Sequence, residues 1–145
     1  MVDRTITSAN SVFSLVVPSL FPAPVQLSGY ATDDAFMSDA IDLAETMMGV
    51  DGKLSAGYVP NPTKMTINLQ ADSTSRDFFG ILISATKVAR EVFFLSGSIS
   101  LPATGESYTL TRGVLSNVKQ MPDNKKVLQS TSFVITWESV TQSIL

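Results

Sequence analysis

Apolar and polar residues alternate along several stretches of this 145-residue chain, the period-two pattern of half-buried β-strands. The pattern is clearest over residues 65–70, where Met65, Ile67 and Leu69 share one face. Strands are predicted over residues 12–17, 25–30, 44–50, 53–59, 65–70, 92–101, 108–118 and 127–140. The last three are long and joined by short turns, so they predict an antiparallel meander, with an irregularity near Gly113.

One segment between the strands has helical periodicity instead. Thr74 and Asp77 form a [ST]-x-x-[DE] pair, which predicts a helix start capped by the threonine hydroxyl. The apolar residues that follow are spaced as on one helix face and predict a helix of about 15 residues. They are Phe78, Phe79, Leu82, Ile83, Ala85 and Ala89, of which the first four are the predicted core contacts. Phe78, Phe79, Phe93 and Phe94 could also line a ligand pocket, but packing between helix and sheet is the favoured interpretation.

Turn residues divide the chain between these elements. Asp51-Gly52 predicts a hairpin with a type I′ turn, since both residues tolerate positive φ. The three prolines between residues 18 and 24 exclude a central strand there, because they remove ladder donors. Residues 40–48 have a helix-favouring composition but also alternate, so residues 33–48 are open to either structure. The hairpin turn favours a strand from residue 44 onwards.

The composition limits the classes of function. Only 16% of the residues are charged and the net charge is −3, which argues against a protein that grips DNA. The surface must therefore depend on Ser, Thr, Asn and Gln, which fits either a surface covered by partners or a weakly charged monomer. The chain has no Cys and no His, so disulfides, thiolate chemistry and a histidine base are excluded. No apolar run reaches the roughly 18 residues of a membrane span, and no signal peptide is predicted.

Candidate chemistry is confined to one acidic stretch. Its members are Asp33, Asp34, Asp39, Asp42 and Glu45. Their spacing does not match a calcium loop and does not single out a pair of catalytic carboxylates. A solvated or interface-facing acidic loop is the favoured interpretation. We therefore predict no catalytic residue, no metal and no cofactor, and we expect a protein that is not an enzyme.

The order of these signals resembles the tail tube proteins of bacteriophages. The segments that carry the resemblance are GVDGKLSAGYVPNPTKMTINL at residues 49–69 and ADSTSRDFFGILI at residues 71–83. It implies a single domain over residues 1–145, with residues 1–11 as an N-terminal arm. The implied fold is an antiparallel β-sandwich or barrel flanked by one α-helix, whose inner strands join into a continuous barrel in a ring. The small tube subunits of contractile-tailed phages, type VI secretion systems and pyocins share it.

The resemblance also implies a function. Hexameric rings would stack into the tail tube of a virion, assembled in the host cytoplasm, through which DNA passes without specific binding. Expected partners are the sheath, tape measure, tail initiator, terminator and baseplate proteins. The hairpin is a poor core segment and is predicted to contact the next ring through Met47, Met48, Val50, Asp51, Gly52, Lys53 and Leu54. The alternative is a monomeric β-barrel or sandwich that binds a small ligand.

Overall fold

A computed structural model describes residues 12–27, 36–71, 73–102, 105–119 and 121–144. Within these ranges the chain forms strands and one helix. The strands are β1 (Val12–Val17), β2 (Phe21–Gln26), β3 (Phe36–Ser38), β4 (Ala44–Met48), β5 (Leu54–Tyr58), β6 (Thr63–Leu69), β7 (Leu95–Leu101), β8 (Glu106–Lys119) and β9 (Thr131–Ile144). The helix, α1 (Ser75–Ala89), has 15 residues, the length that the sequence predicts.

The strands form two antiparallel sheets. The large sheet has seven strands in the order β2-β1-β7-β8-β9-β6-β3, and β4 and β5 form a separate hairpin. The predicted meander is therefore confirmed at the centre of the large sheet, where β7, β8 and β9 are neighbours. The mainly β fold with one flanking helix is confirmed as well.

The core lies between the inner face of the large sheet and the helix. Period-two alternation buries every second residue of β1, β6 and the first half of β9, up to Trp137, while Phe78, Phe79, Leu82 and Ile83 are buried from the helix. The ring of Phe79 stacks on that of Phe133, with 4.3 Å between centroids and an interplanar angle of 9°. Burial of such large side chains supplies the main favourable term in folding. These four helix residues are buried in this core.

One glycine makes room for the single tryptophan. Gly113 of β8 is the register partner of Trp137 of β9, and a Cβ on Gly113 would lie 2.4 Å from the Cε3 atom of the indole. A Cβ on Gly97 would lie 3.5 Å from the Cη2 atom, which is an ordinary van der Waals contact. The indole therefore packs against the Gly113 backbone, at a position where a side chain would collide with it. The predicted irregularity near Gly113 is confirmed, since the β7–β8 register shifts there and Arg112 has a φ of 47°.

Several predicted strand boundaries were wrong. The second strand spans Phe21–Gln26 rather than 25–30, and residues 28–30 lie outside the described part of the chain. It contains Pro22 and Pro24, but it lies at the edge of the sheet, where missing N–H donors are tolerated. The proline rule thus excluded a central strand correctly but did not exclude an edge strand.

The other boundary errors have local causes. The strand predicted from residue 92 begins at Leu95, and Phe94 is largely exposed, with the Arg112 guanidinium 4.3 Å from its ring centroid. The strand predicted from residue 127 begins at Thr131, because an Asn124–Leu128 bridge closes a turn first. β3 was not predicted, because a strand of only three residues shows no periodicity.

The start of the helix also differs from its prediction. The Thr74 side chain makes no capping hydrogen bond and the residue has helical φ and ψ. The Ser73 hydroxyl instead accepts a hydrogen bond from the Ser75 backbone N–H, at 3.3 Å. At the other end Ala89 is exposed, so the buried stripe is shorter than the apolar pattern implied.

Candidate assembly surfaces

The β4–β5 hairpin projects from the body of the molecule. All residues of both its strands are exposed. The predicted type I′ turn was wrong, because only Gly52 has a positive φ, of 81°. The Gly52 N–H donates to the Gly49 carbonyl at 3.0 Å, and the Asp51 carboxylate accepts from the Lys53 N–H at 3.1 Å. This is a three-residue loop that ends in a left-handed glycine, a common alternative way to close a hairpin.

The two faces of the hairpin differ in chemistry. Met48 and Leu54 are register partners, and Tyr58 lies on their side of the ribbon because residues two apart share a face. These three side chains are 64%, 59% and 80% exposed, and we call them the hairpin knob. Met47 lies on the opposite face beside Glu45. The register therefore separates the predicted contact residues, since Met47 cannot meet the same surface as Met48.

A second surface is an uncharged hydroxyl face on the outside of the large sheet. Four adjacent strands contribute to it, and their registers align the side chains in rows. Its members are Ser14, Ser96, Ser98, Ser100, Ser107, Thr109, Thr111, Ser139, Thr141 and Ser143. The hydroxyls of Ser107 and Ser143 lie 2.7 Å apart. These hydroxyl side chains together form a polar surface without a formal charge.

A third feature is a cavity lined by side chains from strands of the large sheet. It has a volume of about 260 Å³, and we call it the mouth cavity. Its described lining residues are Ser38, Thr63, Met65, Ile99, Leu101, Tyr108, Leu110 and Val140. The cavity is mostly apolar and smaller than the roughly 300–1,000 Å³ of typical small-molecule sites. The mouth cavity itself is therefore small for a small-molecule site.

One hydrogen-bonded pair lies at the rim of this cavity. The Tyr108 hydroxyl donates to the Glu106 carboxylate at 2.8 Å. This bond and burial raise the pKa of Tyr108 above its ordinary value, because both disfavour a phenolate beside a carboxylate. The rim is thus anionic, whereas the described lining carries no formal charge.

The acidic stretch forms no cluster in the part of the chain that the structure describes. Asp39, Asp42 and Glu45 are exposed, and within the described ranges no three acidic side chains converge on a possible metal position. Asp33 and Asp34 lie outside those ranges. No described helix has the length and apolar character to cross a membrane.

Sequence comparison identifies the family. The family described as "Tail fiber protein gp32" matches residues 4–141, nearly the whole chain. The chain belongs to this family. It is therefore a phage-tail-like protein, which confirms the broader class that the resemblance implied. No curated protein matches the sequence.

Solved structures similar to this gp32-family protein come from contractile injection systems. A chain in the six-fold symmetrised baseplate of the anti-feeding prophage has a TM-score of 0.64 and 6% identity, with 99% of this chain and 97% of that chain covered. A chain in the sheath/tube terminator of the extracellular contractile injection system PVC has a TM-score of 0.59 and 10% identity, with 99% of each covered. A chain in the tube-terminating cap of the anti-feeding prophage has a TM-score of 0.58 and 11% identity, with 100% and 95% covered. At these identities the similarity establishes the fold.

Sequence reasoning identified the hairpin but missed the mouth cavity. The hairpin is local, so a turn and two flanking strands are enough to predict it. The lining of the cavity comes from β3, β6, β7, β8 and β9, which only the sheet order brings together. No short motif marks such a set of residues.

Proposed function

We propose that this gp32-family protein is a structural subunit whose hexameric rings stack into the tube of a contractile phage-like tail. The observation that carries the proposal is the hairpin, which holds its shape through its own turn while exposing the apolar knob. A lone hairpin is at best marginally stable in water, and contiguous exposed apolar surface is typical of interaction sites. Assembly would stabilise the hairpin and bury its exposed apolar side chains. Catalysis has no part in this function.

The hydroxyl face supports the assignment to a conduit. DNA binds proteins largely through phosphate contacts with Lys and Arg, which release counterions. A wall of serine and threonine makes no such ion pairs, so a duplex beside it would slide rather than adhere. We propose that this face lines the channel. A density map of the tube with a ring of Lys or Arg side chains as the dominant lining would contradict this.

The sheet edges set limits on how rings could close. β2 carries Pro22 and Pro24, so it offers fewer donors than an ordinary edge strand, and β3 is short. A continuous barrel around the channel would therefore depend on contacts made by segments other than these two edge strands. The hairpin is the described segment best placed to make such contacts.

The description of the family favours a second candidate, a subunit of a tail fibre. A fibre subunit and a tube subunit differ in the shape of their assemblies. Electron microscopy of the purified protein separates them, because rings with a central channel support the tube. Elongated rods without a channel would instead support the fibre.

The decisive variant shortens the hairpin loop over residues 50–53. A loss of only about 1 kcal/mol per subunit amounts to roughly 6 kcal/mol per ring junction in a hexamer, more than ten thousandfold in the stacking constant. We expect the variant to fold, with a normal thermal melt, and to form single rings but no long tubes. Met121→Ser is the matched control, since it removes an exposed apolar side chain elsewhere. If the shortened variant formed normal tubes, the hairpin would not contribute to stacking. If the shortened variant failed to fold, the hairpin would be part of the core instead.

A further inference from the structure

The hairpin knob and the mouth cavity are complementary surfaces on one molecule. The knob is an exposed apolar projection, and the cavity is a largely apolar recess. The knob of the same molecule does not fill its own cavity, because both strands of the hairpin are exposed along their whole length. A projection and a matching recess at different places on one chain produce a heterologous contact, the kind that closes rings.

We propose that the knob of one subunit docks into the mouth cavity of the adjacent subunit in the same ring. This inference rests on the ring-forming function proposed above and adds the receiving site. The neighbouring copy thereby buries Met48 and Leu54 against residues such as Leu101 and Val140.

The sizes of the two surfaces agree. Met48 and Leu54 face each other across the hairpin, and cross-strand partners have Cβ atoms about 4.5–5.5 Å apart, so their side chains form one projection. An apolar cavity of about 150 Å³ accepts one benzene-sized group. The mouth cavity, at about 260 Å³, therefore has room for the Met48 and Leu54 side chains, while Tyr58, four residues further along β5, would stay outside it.

The charges agree as well. The knob itself is uncharged, and Lys53 precedes Leu54 at the tip of the hairpin. The described lining of the cavity is uncharged, and Glu106 lies at its rim, bound to Tyr108. Docking of the knob would therefore bring a lysine toward a carboxylate and would leave no charge inside the cavity.

The position of the hairpin selects a neighbour within the ring. Ser38 and Thr63 line the cavity, and residues 39–43 and 59–62 lead from them into the hairpin. Knob and cavity thus belong to the same end of the sheet. In a ring whose axis runs along the strands, this end of the sheet lies at the same height in every subunit, so the knob of one subunit is level with the cavity of the adjacent one. In a head-to-tail stack, this end of one subunit would instead face the opposite end of a subunit in the next ring. The face that carries Met47 and the tip at residues 50–52 would remain available to the next ring.

Cysteine crosslinking tests the contact, and the natural chain has no cysteine to interfere. We expect the double variant Leu54→Cys, Val140→Cys to give a ladder of disulfide-linked oligomers up to the hexamer after mild oxidation. The control pairs Val140→Cys with Met47→Cys, which lies on the other hairpin face, and should lose the ladder. A thermal melt close to that of the natural chain establishes that both variants are folded.

Each other outcome overturns the inference in a recognisable way. Rings visible by microscopy without a ladder would leave the proposed function intact and reject the receiving site. A monomer with altered mobility on a non-reducing gel would mean that the hairpin folds onto its own cavity. A dimer as the largest product would mean a two-fold contact instead of a ring. A natural chain that forms no rings would reject the proposed function itself.

A charge exchange provides an independent measurement. Lys53→Glu and Glu106→Lys should each raise the protein concentration at which rings form, by up to about fivefold per contact, as expected for rim ion pairs. The double exchange should restore the natural concentration. Additive effects without restoration would place these two residues apart in the assembly.

Discussion

The contact between Gly113 and Trp137 makes Gly113→Ala the most quantitative test of the fold. The added methyl carbon would lie 2.4, 2.7 and 2.8 Å from three carbons of the indole ring. Unbonded carbons prefer separations of about 3.5–4.0 Å, so the ring would have to move by roughly 1 Å. Trp137 is completely buried, so the movement has to be absorbed by a close-packed core.

Overpacking of this kind typically costs 1–3 kcal/mol, and the close contact with a rigid ring places Gly113→Ala near about 3 kcal/mol. For a domain of this size each kcal/mol corresponds to about 2–4 °C, so the melting temperature should fall by roughly 6–12 °C. The φ of Gly113 is not in the left-handed region, so the effect would come from crowding alone.

Urea and thermal denaturation followed by fluorescence measure this directly, because Trp137 is the only tryptophan. Gly57→Ala is the matched control, since a Cβ there meets nothing within 4 Å. We expect the control to be neutral or slightly stabilising. In the Gly113→Ala background, Trp137→Leu should cost less than it does alone, because the two changes share one contact. These two variants lack the fluorescent probe, so circular dichroism follows their unfolding. Equal stability of Gly113→Ala and the control would refute the packing argument.

Two further predictions concern the helix and an exposed ion pair. Leu82→Asp should abolish the cooperative melt measured by circular dichroism, because an unpaired carboxylate in the core costs several kcal/mol. Ile81→Asp, on the exposed side of the helix, should melt normally, and a folded Leu82→Asp would exclude this face from the core. The Lys119 ammonium 2.8 Å away holds the pKa of Asp123 below its ordinary value. The contribution of this pair to the free energy of unfolding is present above the pKa that Asp123 has in the unfolded chain, and it is lost as the pH falls through the pKa of Asp123 in the folded protein. An NMR titration should show a higher pKa for Asp123 in Lys119→Ala than in the natural chain. An unchanged pKa would show that the two side chains do not pair in solution.

Local patterns predicted most of the elements correctly. The strand at 12–17, the hairpin strands and the helix were found because period-two and helical spacings extend over several residues. The ambiguity at residues 44–48 was resolved in favour of a strand, since the hairpin loop needs a partner for β5. Boundaries were less well predicted, because the ends of β7 and β9 depend on where a neighbouring strand continues to pair.

Turn and cap chemistry was harder to predict than periodicity. Asp51-Gly52 is compatible with several hairpin loops, and the choice depends on the register of β4 and β5. Thr74 and Ser73 both carry a hydroxyl near the helix start, and the path of the chain from β6 decided which one meets the Ser75 N–H. Such choices depend on differences of about 1 kcal/mol, which a short motif does not encode.

The sequence by itself determined which residues prefer the core, because alternation and helical spacing are properties of the local chain. It also determined the low charge of the chain and a hairpin segment whose residues are poorly suited to a hydrophobic core. Only the tertiary structure decided which distant strands are neighbours, such as β1 beside β7 and β6 beside β9, since antiparallel pairing between distant segments leaves no local signal. The sheet order aligned the hydroxyls of four strands into one face, set Trp137 against Gly113 and brought five strands around the mouth cavity. It also placed Met47 and Met48 on opposite faces of the hairpin, because side chains alternate along a paired strand.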